Sequence, residues 1–424
     1  MKENIQTTRL ENRLTILTDR MSGVRSATLG FFFRVGSRHE PDELNGISHF
    51  IEHTVFKGTP KRTSLDIAIE QDRLGGNLDA FTTHEETGFA IKVIDDQLPA
   101  AFDLIADMLA NPRFDDADLE SEQRVIIEEM KMTEDSPEEY LGEIFSREFF
   151  PSHPLGLSIA GTPKTVKAFD SETTRKYHEQ VFNGSNLVIA AAGNVDHADV
   201  VEMATRVWSS GSNTTAPAKL AAASPVYAAP IIIEQNENLE QAHLIIATPF
   251  VAATDKNRYA ADLMANIIGG GTSSRLWQKI REERGLAYSV GASTIMYGDC
   301  GLFSVFAGTS PEQVQEVVDI TIAELKEVVR TGVTGAELEL VKQQTRASIL
   351  LGLEDSAGRA ATLAQSEMLH GRQIPVEETL ANVDAVTVEE IQALAVEYFK
   401  TQNIAFAALG DLKELHISRD TLAL

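Results

Sequence analysis

Apolar residues along the chain occur in two patterns, as short continuous runs and as longer stretches with helical spacing. Residues 26–35 (SATLGFFFRV) and 187–192 (LVIAAA) are apolar runs of strand length, and Gly193-Asn194 follows the second run. Residues 98–109 and 118–132 place apolar side chains three or four positions apart, as an amphipathic helix does. The alternation of the two patterns predicts an α+β fold, with helices packed on sheets.

The two halves of the chain share a pattern near their ends. Eight residues recur at a constant offset of 217 positions (403 − 186). The pairs are Val166 and Val383, Ala168 and Ala385, Glu172 and Glu389, Phe182 and Phe399, Asn186 and Asn403, Ala190 and Ala407, Ala191 and Ala408, and Gly193 and Gly410. They indicate a duplicated domain, and the alternative is two unrelated helix–strand units with similar cores.

A segment of small residues separates the halves. Residues 209–230 contain a single aromatic residue, Tyr227, and offer little apolar surface to bury. We therefore predict two homologous domains, each a largely antiparallel sheet packed with helices. Their predicted limits are residues 1–210 and 230–424, with a linker at 211–229.

The balance of charged residues limits the classes of partner that the protein can bind. The 424 residues include 37 Lys and Arg against 63 Asp and Glu, a net charge of −26. Nucleic acids and anionic membranes attract basic surfaces, so neither is expected as a partner. The acidity suits basic or extended peptides, although solubility explains it equally well.

Cysteine content and the N-terminal residues bear on the compartment. Cys300 is the single cysteine, so the chain cannot form an intramolecular disulfide. The first twenty residues are polar and lack the apolar core of a secretory signal. Apolar runs such as 187–192 are too short to span a bilayer. We expect a soluble cytoplasmic protein.

The strongest chemical signal is the sequence NGISHFIEH at residues 45–53. On a helix, Glu52 lies at about −60° and His53 at about +40° from His49, so all three share one face. Imidazoles four residues apart can bind one ion, and zinc is a common partner of neutral histidine. A catalytic site needs one more protein ligand, and Glu52 is placed to act as a general base. A lone histidine is more often a satisfied core or surface residue, but two with an acid on one face favour a metal site.

The acidic residues of a second predicted helix are candidates for the third ligand. Glu122 and Glu129 lie within about 20° of each other on the helix that residues 119–130 predict, and Glu128 lies about 100° away. One of the aligned pair could bind metal while the other orients a ligand. Alternatively, both simply face solvent, as acids on amphipathic helices usually do.

H-x-x-E-H is the signature of the inverted zincins. Its surroundings resemble the pitrilysin-type metallopeptidases, closest to the branch that contains the mitochondrial processing peptidase β subunit and its bacterial relatives. The resemblance covers essentially the whole chain. Its segments are HFIEHTVFKGTPKRT from residue 49, GGNLDAFTTHEET at 75–87, SEQRVIIEEMKM at 121–132, LVIAAAGNV at 187–195 and GGGTSSRLWQKIREERGLAYSV at 269–290.

The resemblance implies roles for the matching residues. It implies that His49, His53 and Glu129 bind one Zn²⁺ per chain. Glu122, which completes the family's E-x6-E spacing, is then the supporting acid, and Glu52 is the general base. It further implies that Arg281 and Tyr288 hold the substrate carbonyl and stabilise the oxyanion. The second half has no H-x-x-E-H, so one active site per chain follows.

The resemblance also implies a substrate strand, formed by Asn77, Ala80, Phe81 and Thr82, to which peptides add by main-chain hydrogen bonds. The sequence departs from the common family pattern here, with Asp79 in place of a frequent Asn and Glu86 in place of His or Gln. Glu85 either orients a zinc ligand or is a solvated acid at a strand end.

We thus predict a zinc endopeptidase that hydrolyses peptides or unfolded segments inside a chamber. Relatives twice as long enclose a chamber with four such domains, so two domains suggest a homodimer, in which Arg281 and Tyr288 act in their own chain or in its partner. Two alternatives are a non-catalytic homologous subunit and a peptide-binding module with structural zinc. A structural zinc ion is normally coordinated by four protein ligands, and His84 or Glu85 is a candidate for the fourth.

Overall fold

The computed structural model of the chain describes residues 3–208 and 225–424. The predicted linker at 211–229 therefore lies outside the described residues up to position 224. Within the described residues, no helix is long and apolar enough to cross a membrane.

The elements follow one another as strands and helices along the whole chain. The strands are β1 Ile5–Arg9, β2 Thr15–Arg20, β3 Ser26–Phe33, β4 Leu78–Thr82, β5 Thr87–Ile94, β6 Leu187–Gly193, β7 Ile231–Gln235, β8 Ala242–Phe250, β9 Ala287–Met296, β10 Gly301–Thr309 and β11 Ala405–Gly410. The helices are α1 Ile47–Thr54, α2 Ser64–Leu74, α3 Leu98–Ala110, α4 Asp116–Asp135, α5 Pro137–Phe149, α6 Pro163–Val166, α7 Ser171–Val181, α8 His197–Trp208, α9 Arg258–Ala265, α10 Val314–Thr331, α11 Gly335–Gly352, α12 Ser356–His370, α13 Val376–Ala385 and α14 Val388–Tyr398. Two π-helical segments, Asn266–Gly270 and Trp277–Glu282, lie between α9 and β9. The strands predicted at 26–35 and 187–192 and the helices predicted at 98–109 and 118–132 are all confirmed as β3, β6, α3 and α4.

The first sheet has the order β1-β2-β6-β3-β5-β4, and the second has the order β7-β11-β8-β10-β9. Each sheet contains one parallel pair, β2 with β6 and β7 with β11, and all its other pairs are antiparallel. Removing β1 makes the two orders equivalent, strand for strand. The predicted α+β fold with two homologous, largely antiparallel sheets is confirmed.

The described residues form two compact units. The first contains the chain up to Met132, the part from Leu157 to Trp208, and Leu350–Pro375. The second contains Thr133–Gly156, the part from 225 to Ile349, and Val376–Leu424. Each half of the chain therefore contributes one segment to the unit that is built mainly from the other half.

The exchanged segments carry helices that cover one face of each sheet. In the first unit, Ala360 and Leu363 of α12 pack against Leu17 and Val188. In the second unit, Leu141 and Phe145 of α5 pack in the same way on the second sheet. Because the other helices bury the opposite faces, β6 is buried along its whole length, which explains why its sequence is continuously apolar.

Candidate metal centre

The H-x-x-E-H motif lies on α1, as predicted. Phe50 and Ile51 are fully buried, and the Phe50 ring lies 5.3 Å from that of Phe169, so these two residues anchor the helix in the core of the first unit. The helix period then places His49 and His53 on the other face. Their ring centroids are 4.7 Å apart.

Helix α4 brings the two acids to this face. Oε2 of Glu129 lies 3.8 Å from Nε2 of His49 and 3.5 Å from Nε2 of His53. Oε2 of Glu122 lies 3.2 Å from the other ring nitrogen of His53, Nδ1. Helical periodicity left open which of the two acids faces the histidines. The distances show that the two acids have different positions. Glu129 faces both Nε2 atoms, whereas Glu122 contacts the far side of one ring.

His49, His53 and Glu129 fit a zinc ion. Each offers one ligand atom within 4.8 Å of the others, and they form the one such group of three among the residues that the structure describes. Two ligands that bind a tetrahedral zinc at normal distances lie roughly 3.3 Å apart, close to the spacing of Glu129 from the two imidazoles. Oε2 of Glu129 is also buried and accepts no hydrogen bond within the described chain, as expected of an atom reserved for an ion.

Two features of the surroundings favour coordination. Burial and the neighbouring His53 lower the pKa of His49 to about 4, so its imidazole is neutral at pH 7 and its electron pair is available. Glu122 also forms an ion pair with Lys57. Lys57 was not among the predicted site residues, and its position four residues after His53 is the signal that could have found it.

Glu52 lies on the same helix face and is only 8% exposed. Burial raises the pKa of its carboxyl, and Oε2 accepts a hydrogen bond of 2.6 Å from the hydroxyl of Thr82. A carboxylate with a raised pKa accepts a proton more readily, which is the property of a general base. Sequence reasoning assigned Thr82 to substrate binding alone and missed its bond to Glu52.

The predicted substrate strand coincides with β4, which forms one edge of the first sheet and pairs only with β5 among the described strands. Ala80 packs against the core of the unit, and the Phe81 ring lies 6.4 Å from Phe32. Asn77 precedes the strand, and its side-chain amide donates a hydrogen bond to Asp79. The edge position leaves main-chain groups of β4 free for an added strand.

Glu85 lies in the turn between β4 and β5. Its carboxylate accepts a hydrogen bond of 2.7 Å from Arg38, whose side chain is fully buried. His84, the other candidate for a fourth ligand, contacts the hydroxyl of Ser37 through Nδ1 at 2.8 Å. Neither residue belongs to the group of three that could hold a metal.

Arg281 and Tyr288 lie together in the second unit. Arg281 is part of the π-helical segment Trp277–Glu282, and Tyr288 is in β9 with 78% of its surface exposed. The guanidinium carbon of Arg281 lies 4.8 Å from the centroid of the Tyr288 ring and 4.1 Å from that of Trp277. The sequence prediction did not include Trp277. Its spacing of four residues from Arg281 was the available signal.

Two family models match the chain. Residues 15–163 match the model described as Insulinase (Peptidase family M16), and residues 168–345 match the model described as Peptidase M16 inactive domain. The first match contains all the residues of the candidate metal centre.

Curated relatives match over almost the whole chain. An uncharacterized zinc protease of Streptomyces coelicolor is 37% identical over 98% of this chain and 91% of the relative. An uncharacterized zinc protease of Bacillus subtilis is 34% identical over 94% of this chain and 97% of the relative.

Solved structures share the fold. A protease from Helicobacter pylori has a TM-score of 0.86 at 21% identity and covers 96% of this chain and 99% of its own. A peptidase M16 inactive domain from Pseudomonas fluorescens has a TM-score of 0.88 at 19% identity, with 96% of this chain and 98% of its own covered.

Proposed function

The chain belongs to peptidase family M16, and from this premise we propose that it is a zinc-dependent endopeptidase acting on peptides or unfolded polypeptide segments. The observation that carries the proposal is the convergence of His49, His53 and Glu129, with Glu52 held beside them by Thr82. The names of the relatives support the zinc protease class, and the geometry of the site supports the hydrolysis of peptide bonds.

The chemistry follows from the residues around the site. His49, His53 and Glu129 would hold the zinc ion, which when bound would act as a Lewis acid towards the scissile carbonyl and a water molecule. Glu52 takes the proton of the attacking water and passes it to the leaving amine. Thr82 holds the carboxylate of Glu52 in place for both transfers. Glu122 and Lys57 fix the ring of His53 from its far side.

Substrate binding is assigned to β4. An extended peptide that adds to this edge forms main-chain hydrogen bonds, so recognition depends little on side chains. Because Thr82 is the last residue of β4 and contacts Glu52, an added strand runs past the general base. Arg281 and Tyr288 are proposed to stabilise the charge on the carbonyl oxygen, and a single donor to such an oxyanion typically contributes roughly 3–4 kcal/mol in enzymes.

The description "inactive domain" bears on the non-catalytic alternative. It belongs to the model that matches residues 168–345, where no H-x-x-E-H motif occurs. The motif and Glu129 lie in the part that matches the other model. The structural-zinc alternative requires a fourth protein ligand, and the described residues supply a group of three. Both points favour a single catalytic zinc per chain.

We also propose that two copies assemble into a homodimer enclosing the active sites, and that the protein works in the cytoplasm. Light scattering of an active preparation tests the assembly. A monomer with full activity would contradict the homodimer.

The decisive experiment combines turnover with metal analysis. Wild type and Glu52→Gln are incubated with a quenched fluorescent peptide library, and zinc is measured in both. The proposal predicts zinc in both proteins and cleavage by the wild type alone. Glu128→Gln, an exposed acid on α4, is the matched control and should cleave normally. Zinc without cleavage by the wild type would overturn the peptidase proposal, and loss of zinc from Glu52→Gln would make Glu52 a ligand.

A further inference from the structure

The metal-binding helix α1 begins without a capping side chain of its own. Its N-cap residue is Gly46, which has a φ of 96° and no side chain to accept a hydrogen bond. The first amide groups of a helix need acceptors, because they have no partner within the helix. In this protein a residue outside the helix supplies them.

That residue is Glu40. Its Oε2 accepts a hydrogen bond of 2.7 Å from the amide of Gly46, and its Oε1 accepts one of 2.8 Å from the amide of Ser48. The side-chain amide of Asn45 lies 3.5 Å from the same Oε2. Both oxygens of the Glu40 carboxylate thus accept hydrogen bonds from backbone amides at the N-terminus of α1.

Glu40 acts from inside the protein and not from its surface. It is only 7% exposed, and burial raises the pKa of its carboxyl to about 7 although four donors, from Asn45, Gly46 and Ser48, surround it. Burial raises the pKa of Tyr177 and the charge of Glu40 raises it further, and the Tyr177 hydroxyl lies 3.3 Å from the hydroxyl of Ser48. A buried carboxyl is costly to keep, which points to a specific use.

The same region is tightly packed around the helix start. A Cβ added to Gly46 would lie 2.6 Å from the carbonyl oxygen of Ala160 and 2.8 Å from Cα of Gly161. Asn45 donates a further hydrogen bond of 3.0 Å to the carbonyl of Ser158. The backbone of residues 45–48 is therefore fixed on two sides, by Glu40 and by the segment 158–161.

The consequence concerns the histidines. The amide of Ser48 that Glu40 binds belongs to the residue immediately before His49. Helix α1 has only eight residues, too few to be stable by itself. Its rotation and position therefore depend on its anchors, and a small shift of its start moves His49 relative to Glu129.

We propose that Glu40 is a positioning residue for the metal centre, which sets the affinity for zinc by fixing the start of the helix that carries His49 and His53. The inference rests on the proposed function only in naming zinc as the ion. The hydrogen bonds of Glu40 go to Asn45, Gly46 and Ser48, so it acts on the predicted ligands through the backbone at the start of α1.

The test uses zinc affinity, measured by competition with a chromophoric chelator, and the absorption spectrum of the Co²⁺-substituted protein. Glu40→Gln keeps the size of the side chain but replaces one acceptor with a donor, so the amide of either Gly46 or Ser48 loses its acceptor. We expect zinc binding to weaken roughly 10–100-fold, as for other residues that support metal ligands, with a changed Co²⁺ spectrum. Far-UV circular dichroism should stay unchanged.

Thr63→Ala is the matched control. Thr63 caps α2 by accepting a hydrogen bond from the amide of Asp66, and its helix carries no predicted ligand. This variant should bind zinc within about twofold of the wild type. Glu40→Asp, whose shorter side chain cannot reach both amides, should show an intermediate loss.

Three outcomes would overturn the proposal. The first is zinc affinity of Glu40→Gln within about twofold of the wild type, and the second is an equal loss in Thr63→Ala. The third is failure of both Glu40 variants to fold, which would make Glu40 a requirement of the whole fold. A wild-type chain that binds zinc but cuts no peptide would overturn the proposed function alone, because the zinc measurements need no turnover.

Discussion

Nδ1 of His53 lies 3.2 Å from Oε2 of Glu122, while Nε2 of the same ring faces Glu129. The two acids of α4 therefore contact opposite ring nitrogens of one histidine. This division matches the general arrangement in which a metal-binding histidine is oriented by a carboxylate on its other nitrogen.

Glu122→Gln should weaken zinc binding roughly 10–100-fold without removing a ligand. The physical reason is that the amide holds the ring of His53 less firmly and no longer pairs with Lys57. Chelator competition measures the affinity. Glu128→Gln on the same helix is the control, since Glu128 is exposed and pairs with Lys131, and an equal loss in that variant would contradict the assignment.

Thr82→Val should lower kcat/KM by between about tenfold and 150-fold, because it removes the hydroxyl that donates to Glu52 while keeping the shape of the side chain. A hydrogen bond to a charged group contributes about 1.5–3 kcal/mol, which sets the scale. Steady-state kinetics with a cleaved library peptide measure the change. Thr7→Val, on the opposite edge strand of the same sheet, should be silent. Unchanged kinetics in Thr82→Val would show that the hydrogen bond from Thr82 does not assist Glu52 in the reaction.

Trp277→Leu should lower kcat more than it changes KM. Arg281 lies between the rings of Trp277 and Tyr288, and loss of one ring frees the guanidinium from its fixed orientation. Contacts of this kind contribute about 0.5–2 kcal/mol, so the expected loss of kcat is between about twofold and thirtyfold. Trp277→Phe retains an aromatic face and should recover most of the activity. Equal defects in the two variants would exclude the ring contact as the cause.

Buried His178 should make the stability of the first unit depend on pH. Burial and the charge of Arg175 lower its pKa to about 4, against the hydrogen bond between Nε2 and the carbonyl of Leu109. The unfolded chain, with a pKa near 6.5, then binds the proton more tightly than the folded chain. The stability is therefore fully present above pH 6.5 and is lost as the pH falls towards 4, by up to about 3 kcal/mol.

Urea unfolding of the wild type and His178→Gln from pH 4 to 8 measures this dependence. The glutamine keeps a donor for Leu109 but has no proton to exchange, so its free energy of unfolding should fall less on acidification. Parallel curves for the two proteins would show that His178 does not titrate as described.

Much of the fold and the centre of the site follow from the sequence, because they depend on local patterns. The run SATLGFFF forms β3, and the continuously apolar residues 187–192 form β6. The repeated positions include residues of β6 and of β11, which occupy equivalent places in the two sheets. The spacing of His49, Glu52 and His53 places them on one helix face by periodicity alone. The resemblance to a peptidase family then distinguished Glu129 from Glu122.

Other features depend on contacts between residues far apart in the chain, and only the tertiary structure decided them. Glu40 caps the start of α1, although it does not stand at a position where sequence patterns place capping residues. Thr82 donates a hydrogen bond to the carboxylate of Glu52, thirty positions away in the chain. The placement of α5 and α12 on the sheet of the opposite half has no local signal either, since an amphipathic helix shows which face it buries but not against which sheet. The sequence by itself thus determined two of the strands, two of the long helices, the duplication and the metal-binding motif. The tertiary structure determined which distant side chains hold that motif in place. Hydrogen bonds and packing between residues far apart in the chain produce no regular spacing that can be recognised in the sequence.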